Sequence, residues 1–252
     1  NSPLWSDGAA KQRWIAVPGN EKIVFSPTNN FVFPAGTVFI KNFELTVNET
    51  TGAKRRLETR FLVRGAAGGV YGITYKWRDD GTDADLLSAA LTENITITNA
   101  AGVRTQAWYF PGPMDCLVCH NPNSGSVLGV NARQLNGPLT YAATGLTDNQ
   151  LRTWSHLGLF NTQDEASLTN APKLAHVDDT NYPPEYRMRS YLDANCAQCH
   201  RPNGVAAYFD ARFSTPLAKQ RLIDGPLANT LGDANARVIK PRDLGKSALY
   251  AR

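Results

Sequence analysis

Two five-residue windows concentrate the chemistry of this chain: Cys116-Leu117-Val118-Cys119-His120 and Cys196-Ala197-Gln198-Cys199-His200. They use all four cysteines, and each is followed by x-Pro-Asn, as Asn121-Pro122-Asn123 and Arg201-Pro202-Asn203. Cys-x-x-Cys-His is the attachment signature of c-type haem. The two thiols form thioether bonds with porphyrin vinyl groups, and the histidine ligates the iron. On this reading Cys116, Cys119 and His120 hold haem 1, and Cys196, Cys199 and His200 hold haem 2. Both histidines are proximal ligands. A four-thiolate zinc site is the rival, but it leaves the paired histidines unexplained and needs a compact knuckle. About 75 residues separate the pairs. A thioredoxin-like motif would need a neighbouring βαβ pattern, and cysteines three positions apart make poor disulfide staples.

The far side of each iron is less determined. His156, His176, Met114 and Met188 are the remaining usual ligand types. His156 sits in a helical stretch beside Trp154 and is the leading distal candidate for haem 1, with His176 and Met188 as alternatives. Met114 is too near Cys116 to wrap around its own haem. After His200 the chain has neither histidine nor methionine. Haem 2 is therefore ligated from upstream, or open, or ligated from beyond Arg252.

The elements that position these windows differ on the two sides of residue 110. Before it, Phe43, Leu45 and Val47 alternate with polar residues, as do Phe61 and Val63, Tyr71 to Trp77, and Ile95 and Ile97. Period-two patterning describes half-buried strands. Turn signals separate them, and Asn99 to Gly102 closes a hairpin onto Arg104–Phe110. Several short strands at this spacing predict a sandwich. After Pro111-Gly112-Pro113, Thr147 is the expected N-cap of a helix over Asp148–Leu157, and Pro183-Pro184 precedes a second over Glu185–Ala194. The fold class expected is multidomain α+β. An antiparallel sandwich-like domain (1–110) precedes a mainly α, loop-rich, cytochrome c-like region. That region divides into a haem 1 domain (111–190) and a haem 2 domain (191–252), the latter incomplete at its C-terminus.

Net charge is +4 over 252 residues. Haem propionates would offset much of it, and no basic block suggests nucleic acid. Arg187, Arg189, Arg201 and Arg212 are candidates to pair with propionates or to face solvent. No apolar run reaches the ~18 residues of a membrane span, and no signal peptide is evident. Covalent haem attachment nevertheless implies export, so the expected location is the periplasm or cell exterior of a bacterium. Asp79, Asp80, Asp83 and Asp85 form a weak calcium-loop candidate without EF-hand spacing. The sequons at Asn48 and Asn94 carry little weight in a bacterial chain.

With these residues located, the chain resembles a family of exported bacterial dihaem c-type cytochromes of the Shewanella and Hyphomonas type. The matching stretches include Leu4 to Trp14, Phe33-Pro34-Ala35-Gly36, Glu58-Thr59-Arg60, Tyr75-Lys76-Trp77, both cysteine windows, Gln134-Leu135-Asn136, Tyr191 to Gly204 and Lys246 to Tyr250. The resemblance implies covalent haem and electron transfer. Related chains continue past the last stretch into a Met-Pro segment, which implies a methionine beyond Arg252 as the distal ligand of haem 2. The family has a small residue where Met188 stands, favouring His156 for haem 1. The leading functional expectation is therefore a dihaem electron carrier with a redox partner protein. A dihaem peroxidase with haem 2 open is the enzymatic alternative. A subunit of an electron-conducting filament or complex is the structural one.

Overall fold

A computed structural model describes residues 1–162, 164–230 and 232–251. The first half forms one curled seven-stranded sheet: β1 (Ala10–Ala16), β2 (Val38–Asn48), β3 (Ala53–Arg64), β4 (Val70–Trp77), β5 (Ala84–Leu86), β6 (Leu91–Asn99) and β7 (Gly102–Phe110). The order is β5-β4-β3-β2-β6-β7, and β1 also lies along β2. Neighbours run antiparallel except at β2 and β6, which meet in a single parallel pair, Asn48 with Thr98. Because β6 and β7 continue the same sheet, the described residues of this half hold no second sheet to make a sandwich. The curl instead brings the ends together around Phe43, Leu45, Leu57, Ile95, Ile97, Trp108 and Phe110.

One irregularity in β3 shapes the site described below. The register slips between the pairs Phe43–Glu58 and Glu44–Arg56, leaving Leu57 as the extra residue of a bulge. Leu57 and its neighbour Glu58 are consequently both fully buried, which strict alternation forbids.

Beyond Phe110 the chain is mostly loop. It contains α1 (Pro113–Cys119), α2 (Ala132–Leu135), a small hairpin of β8 (Pro138–Thr140) and β9 (Thr147–Asn149), α3 (Gln150–His156), α4 (Glu165–Thr169), α5 (Pro184–Asn195) and α6 (Leu217–Gln220). The fold is thus mostly β, with 30% strand against 17% helix. The expected α+β class with a mainly α, cytochrome c-like second half is corrected accordingly. Dense Pro, Gly and Asn interrupt the helical period before most segments exceed two turns. The predicted helix at 148 starts two residues later, because Thr147 to Asn149 pairs with β8 and Asn149 becomes the cap, accepting from the Leu151 N–H at 3.0 Å.

Two further cores complete the fold. One draws on both sides of residue 110, joining Ile23, Phe31 and Phe33 to Leu151, Trp154, Phe160 and Leu168. The other surrounds the second cysteine window with Leu192, Ala197, Ala211, Leu222 and Val238. No helix among the described residues is long and apolar enough to cross a membrane.

Candidate functional site: two cysteine loops against the sheet

The first window begins on α1. Asp115 closes the N-terminus of this helix by accepting from the Gly112 N–H at 2.9 Å, and Pro113 starts it without needing an N–H partner. Cys116 and Cys119 lie on its last turns, and His120 is the C-cap, with its N–H on the Cys116 carbonyl at 2.9 Å. The chain then folds back through a 3₁₀ turn, Pro122–Ser124, held by the Asn121 side chain. That turn brings the Ser126 carbonyl 2.8 Å from His120 Nδ1. A carbonyl only accepts, so Nδ1 carries the proton and Nε2 holds the lone pair. Gly125 permits the fold-back: its φ is +88°, and a Cβ there would collide with the Asn30 side chain.

The second window repeats this closure. It follows α5 directly, Cys196 being the helix C-cap, and the His200 N–H donates to the Cys196 carbonyl, again at 2.9 Å. The His200 ring stacks on Phe209, with centroids 4.2 Å apart and planes 17° from parallel. Gly204 is required after it, since a Cβ would run into the backbone of Cys199.

Although far apart in sequence, the two loops touch. The Cys199 thiol lies close enough to Cys119 to add to the rise in its pKa. The matching tails also meet: Arg201 Nη1 donates to the Asn123 carbonyl at 2.6 Å, and Asn123 Nδ2 donates to the Pro202 carbonyl at 3.3 Å. Burial raises the thiol pKa of Cys116, Cys119 and Cys196, and lowers that of His120, so these groups rest as neutral thiols and a neutral imidazole.

The sheet side of the first loop was not anticipated. Tyr71, Ile73, Tyr75 and Trp77 read as the covered face of β4, yet Gly72 and Thr74 are the buried residues and Tyr71 is 51% exposed. The face toward α1 presents Arg60 from β3 and Lys41 from β2, paired side by side. Their positive charges act on His120, and that of Arg60 also on Cys116 and Cys119. Glu58 compensates part of this charge. It accepts from Arg60 Nε at 2.9 Å and from Trp108 Nε1 at 3.1 Å. One signal for this site was legible, namely Lys41 interrupting the alternate apolar positions Phe39, Phe43 and Leu45.

Burial, then the charges of Arg13, Arg60 and Lys11, push the Lys41 pKa down to about 7. An unfolded lysine titrates near 10.4. Between about pH 7 and 10 the unfolded chain therefore binds the extra proton, and stability is expected to rise with pH across that window. The penalty is fully present below it. Urea unfolding at about pH 6.5, 8 and 9.5 checks this, and Lys41→Met is expected to flatten the rise. An unchanged slope in the variant would assign the effect elsewhere.

His156 is exposed on the last turn of α3, while Leu151 and Trp154 on that helix are buried. His176 is half exposed, its Nδ1 3.4 Å from Asp178. Met114 is 74% exposed, and Met188 packs on the core around the second window. No hydrogen bond or ion pair joins any of the four to His120 among the described residues. A ligand beyond Arg252 lies outside those residues. Arg187, Arg189 and Arg201 donate to backbone carbonyls, and Arg212 pairs with Asp210. In the acidic loop Asp79 is held by Arg55, Asp83 and Asp85 by Arg78, and Asp80 by Thr82.

Among the described residues no group of three or more His, Cys, Asp or Glu side chains is placed to hold a metal ion. Neither the four cysteines nor the acidic loop forms such a group among the described residues. Together with the β-rich fold, this also corrects the expectation of an electron-transferring dihaem cytochrome, with its peroxidase and filament alternatives. Among the described residues the scaffold expected for that role is replaced by a curled, β-rich fold. No family model, curated protein or solved structure matches the chain.

Proposed function

We propose that the paired loops are covalent attachment sites for two c-type haems, and that this chain is a haem-carrying protein. No electron-carrying or peroxidase role is assigned to it. The observation that carries the reading is the bond from His120 Nδ1 to the Ser126 carbonyl, which orients the ring and leaves Nε2 as the ligating nitrogen. A porphyrin brings four nitrogens of its own, so each loop needs to supply only two thiols and one imidazole. Cys116 and Cys119 would hold one group with His120, and Cys196 and Cys199 the other with His200. Gly72 leaves the Cys116 side chain room against β4 where any Cβ would intrude. When bound, each haem supplies an iron centre whose properties follow from its axial ligation and burial. Since such attachment takes place outside the inner membrane, the proposal carries with it a periplasmic or cell-surface location.

Co-expression with haem-ligation machinery, followed by peptide mass mapping, tests this. The peptides containing Cys116–Cys119 and Cys196–Cys199 are each expected to carry one haem. Substituting Cys116 and Cys119 together by alanine should remove the first and leave the second. Unmodified peptides from the wild-type chain, under conditions where a known c-type protein is loaded, would end the proposal.

A further inference from the structure

The strand register places Arg13, Lys41, Arg60 and Thr74 opposite one another in a single row across β1, β2, β3 and β4. The adjacent row is Ile15, Phe39, Leu62 and Gly72. Gly72 is the point at which α1 touches the sheet, so the cationic row lies on the face that receives the first cysteine loop. On its other side the row is bounded by Lys11, Phe43, Glu58 and Lys76.

The charges in this patch do not balance. Both oxygens of Glu58 are bound by Arg60, and the flanking Lys76 is paired with Glu93 at 2.9 Å, so neither carboxylate is left for Lys41 or Arg13. Lys41 and Arg13 have no salt bridge and no hydrogen-bonded acid among the described residues. The Lys41 ammonium rests over the Phe43 ring, 5.1 Å from its centroid, with the Arg60 guanidinium 4.4 Å from the same ring. A second observation is independent of charge. Thr74 is only 1% exposed, and its hydroxyl has no hydrogen-bond partner among the described residues. A buried hydroxyl without a partner typically costs about 1–3 kcal/mol, and an oxyanion between Thr74 and the two β2–β3 cations would satisfy it. The same anion would answer the surplus positive charge.

We propose that Lys41, Arg60 and Thr74, with Arg13 at the open edge, form a carboxylate-binding site beneath the first cysteine loop. Resting on the haem reading above for the source of that carboxylate, the ligand is a propionate of the group held by Cys116 and Cys119. A free carboxylate anion has the same chemistry and is distinguished by experiment. Arg60 supplies a planar guanidinium suited to an oxyanion, Lys41 a point charge, and Thr74 a neutral O–H donor. Thr74 is a positioning and binding residue with no part in thioether formation.

The full chain is prepared with and without haem-ligation machinery, its thiols kept reduced, and titrated with sodium succinate by calorimetry. The haem-free wild type is expected to bind succinate saturably. Thr74→Val, which keeps the side-chain shape, and Lys41→Met are each expected to weaken binding about tenfold, the effect of losing one donor to a charged group. The haem-carrying chain is expected not to bind, because its own propionate fills the site. Absent binding in the haem-free chain, or binding untouched by both substitutions, overturns the site. Equal binding with and without haem overturns the propionate as ligand and leaves a free carboxylate. If no haem attaches at all, the haem reading fails alone, and the succinate titration still decides the anion site.

Discussion

Replacing Glu58 by leucine is expected to destabilise the chain by about 3 kcal/mol, the lower end of the cost of breaking a buried charge pair. Glu58 is fully buried, because the bulge at Leu57 turns two successive residues of β3 inward. It accepts from Arg60 and from the Trp108 indole, so its loss strands a guanidinium and a buried N–H together. The guanidinium is about one-third exposed, and solvent recovers part of its loss, which keeps the estimate at the low end. Lys41 also loses the one carboxylate whose charge acts on it, which leaves Lys11, Arg13 and Arg60 repelling it unopposed. Glu58→Gln keeps an acceptor for Trp108 and is expected to cost about half as much. Urea unfolding checks both, and added salt should narrow the gap between the leucine variant and wild type. A loss below about 0.5 kcal/mol for the leucine variant would mean that this carboxylate does not hold the patch together.

The second large effect is expected at Gly72. A Cβ there would lie 2.6 Å from Cys116 Cβ and closer still to its sulfur. Gly72→Val must therefore lift α1 from β4 or bend the strand, at a cost of about 3 kcal/mol, the upper part of the usual overpacking range. The effect should be local. Alkylation of Cys116 in the haem-free chain is expected to quicken about tenfold as the helix loosens, while Cys196 keeps its wild-type rate. Gly69→Ala, where an added Cβ meets nothing within 4 Å, serves as the control and should be near neutral. Equal alkylation rates at Cys116 in wild type and Gly72→Val would show that α1 does not depend on this contact.

Much of the secondary structure was legible because its signals are local. The alternations around Phe43, Ile95 and Arg104–Phe110 correspond to β2, β6 and β7, and the double proline at 183 marks the start of α5. Which side of a strand is covered is not a local property. In β4 the larger apolar residues face outward and Gly72 and Thr74 face inward, because α1 needs a residue without a side chain beneath it. The same reversal turns Arg60 and Leu62 inward on β3 in place of Phe61 and Val63. Nor could alternation foresee the curl: β6 and β7 look like strands of a second sheet until the pair Asn48–Thr98 joins them to the first.

By itself the sequence determined the two thiol–thiol–imidazole windows, since a grouping within five consecutive residues depends only on covalent spacing. It likewise determined where strands start and stop, through turn residues whose backbone preferences act over two or three positions. Only the tertiary structure decided that the windows lie against each other through their Pro-Asn tails. It alone decided that the first rests on a row of cations, and that a glutamate is sealed beneath them. Those features depend on strand pairing and loop closure between residues tens of positions apart. Many competing pairings satisfy the same local pattern, and the burial of the whole chain selects among them.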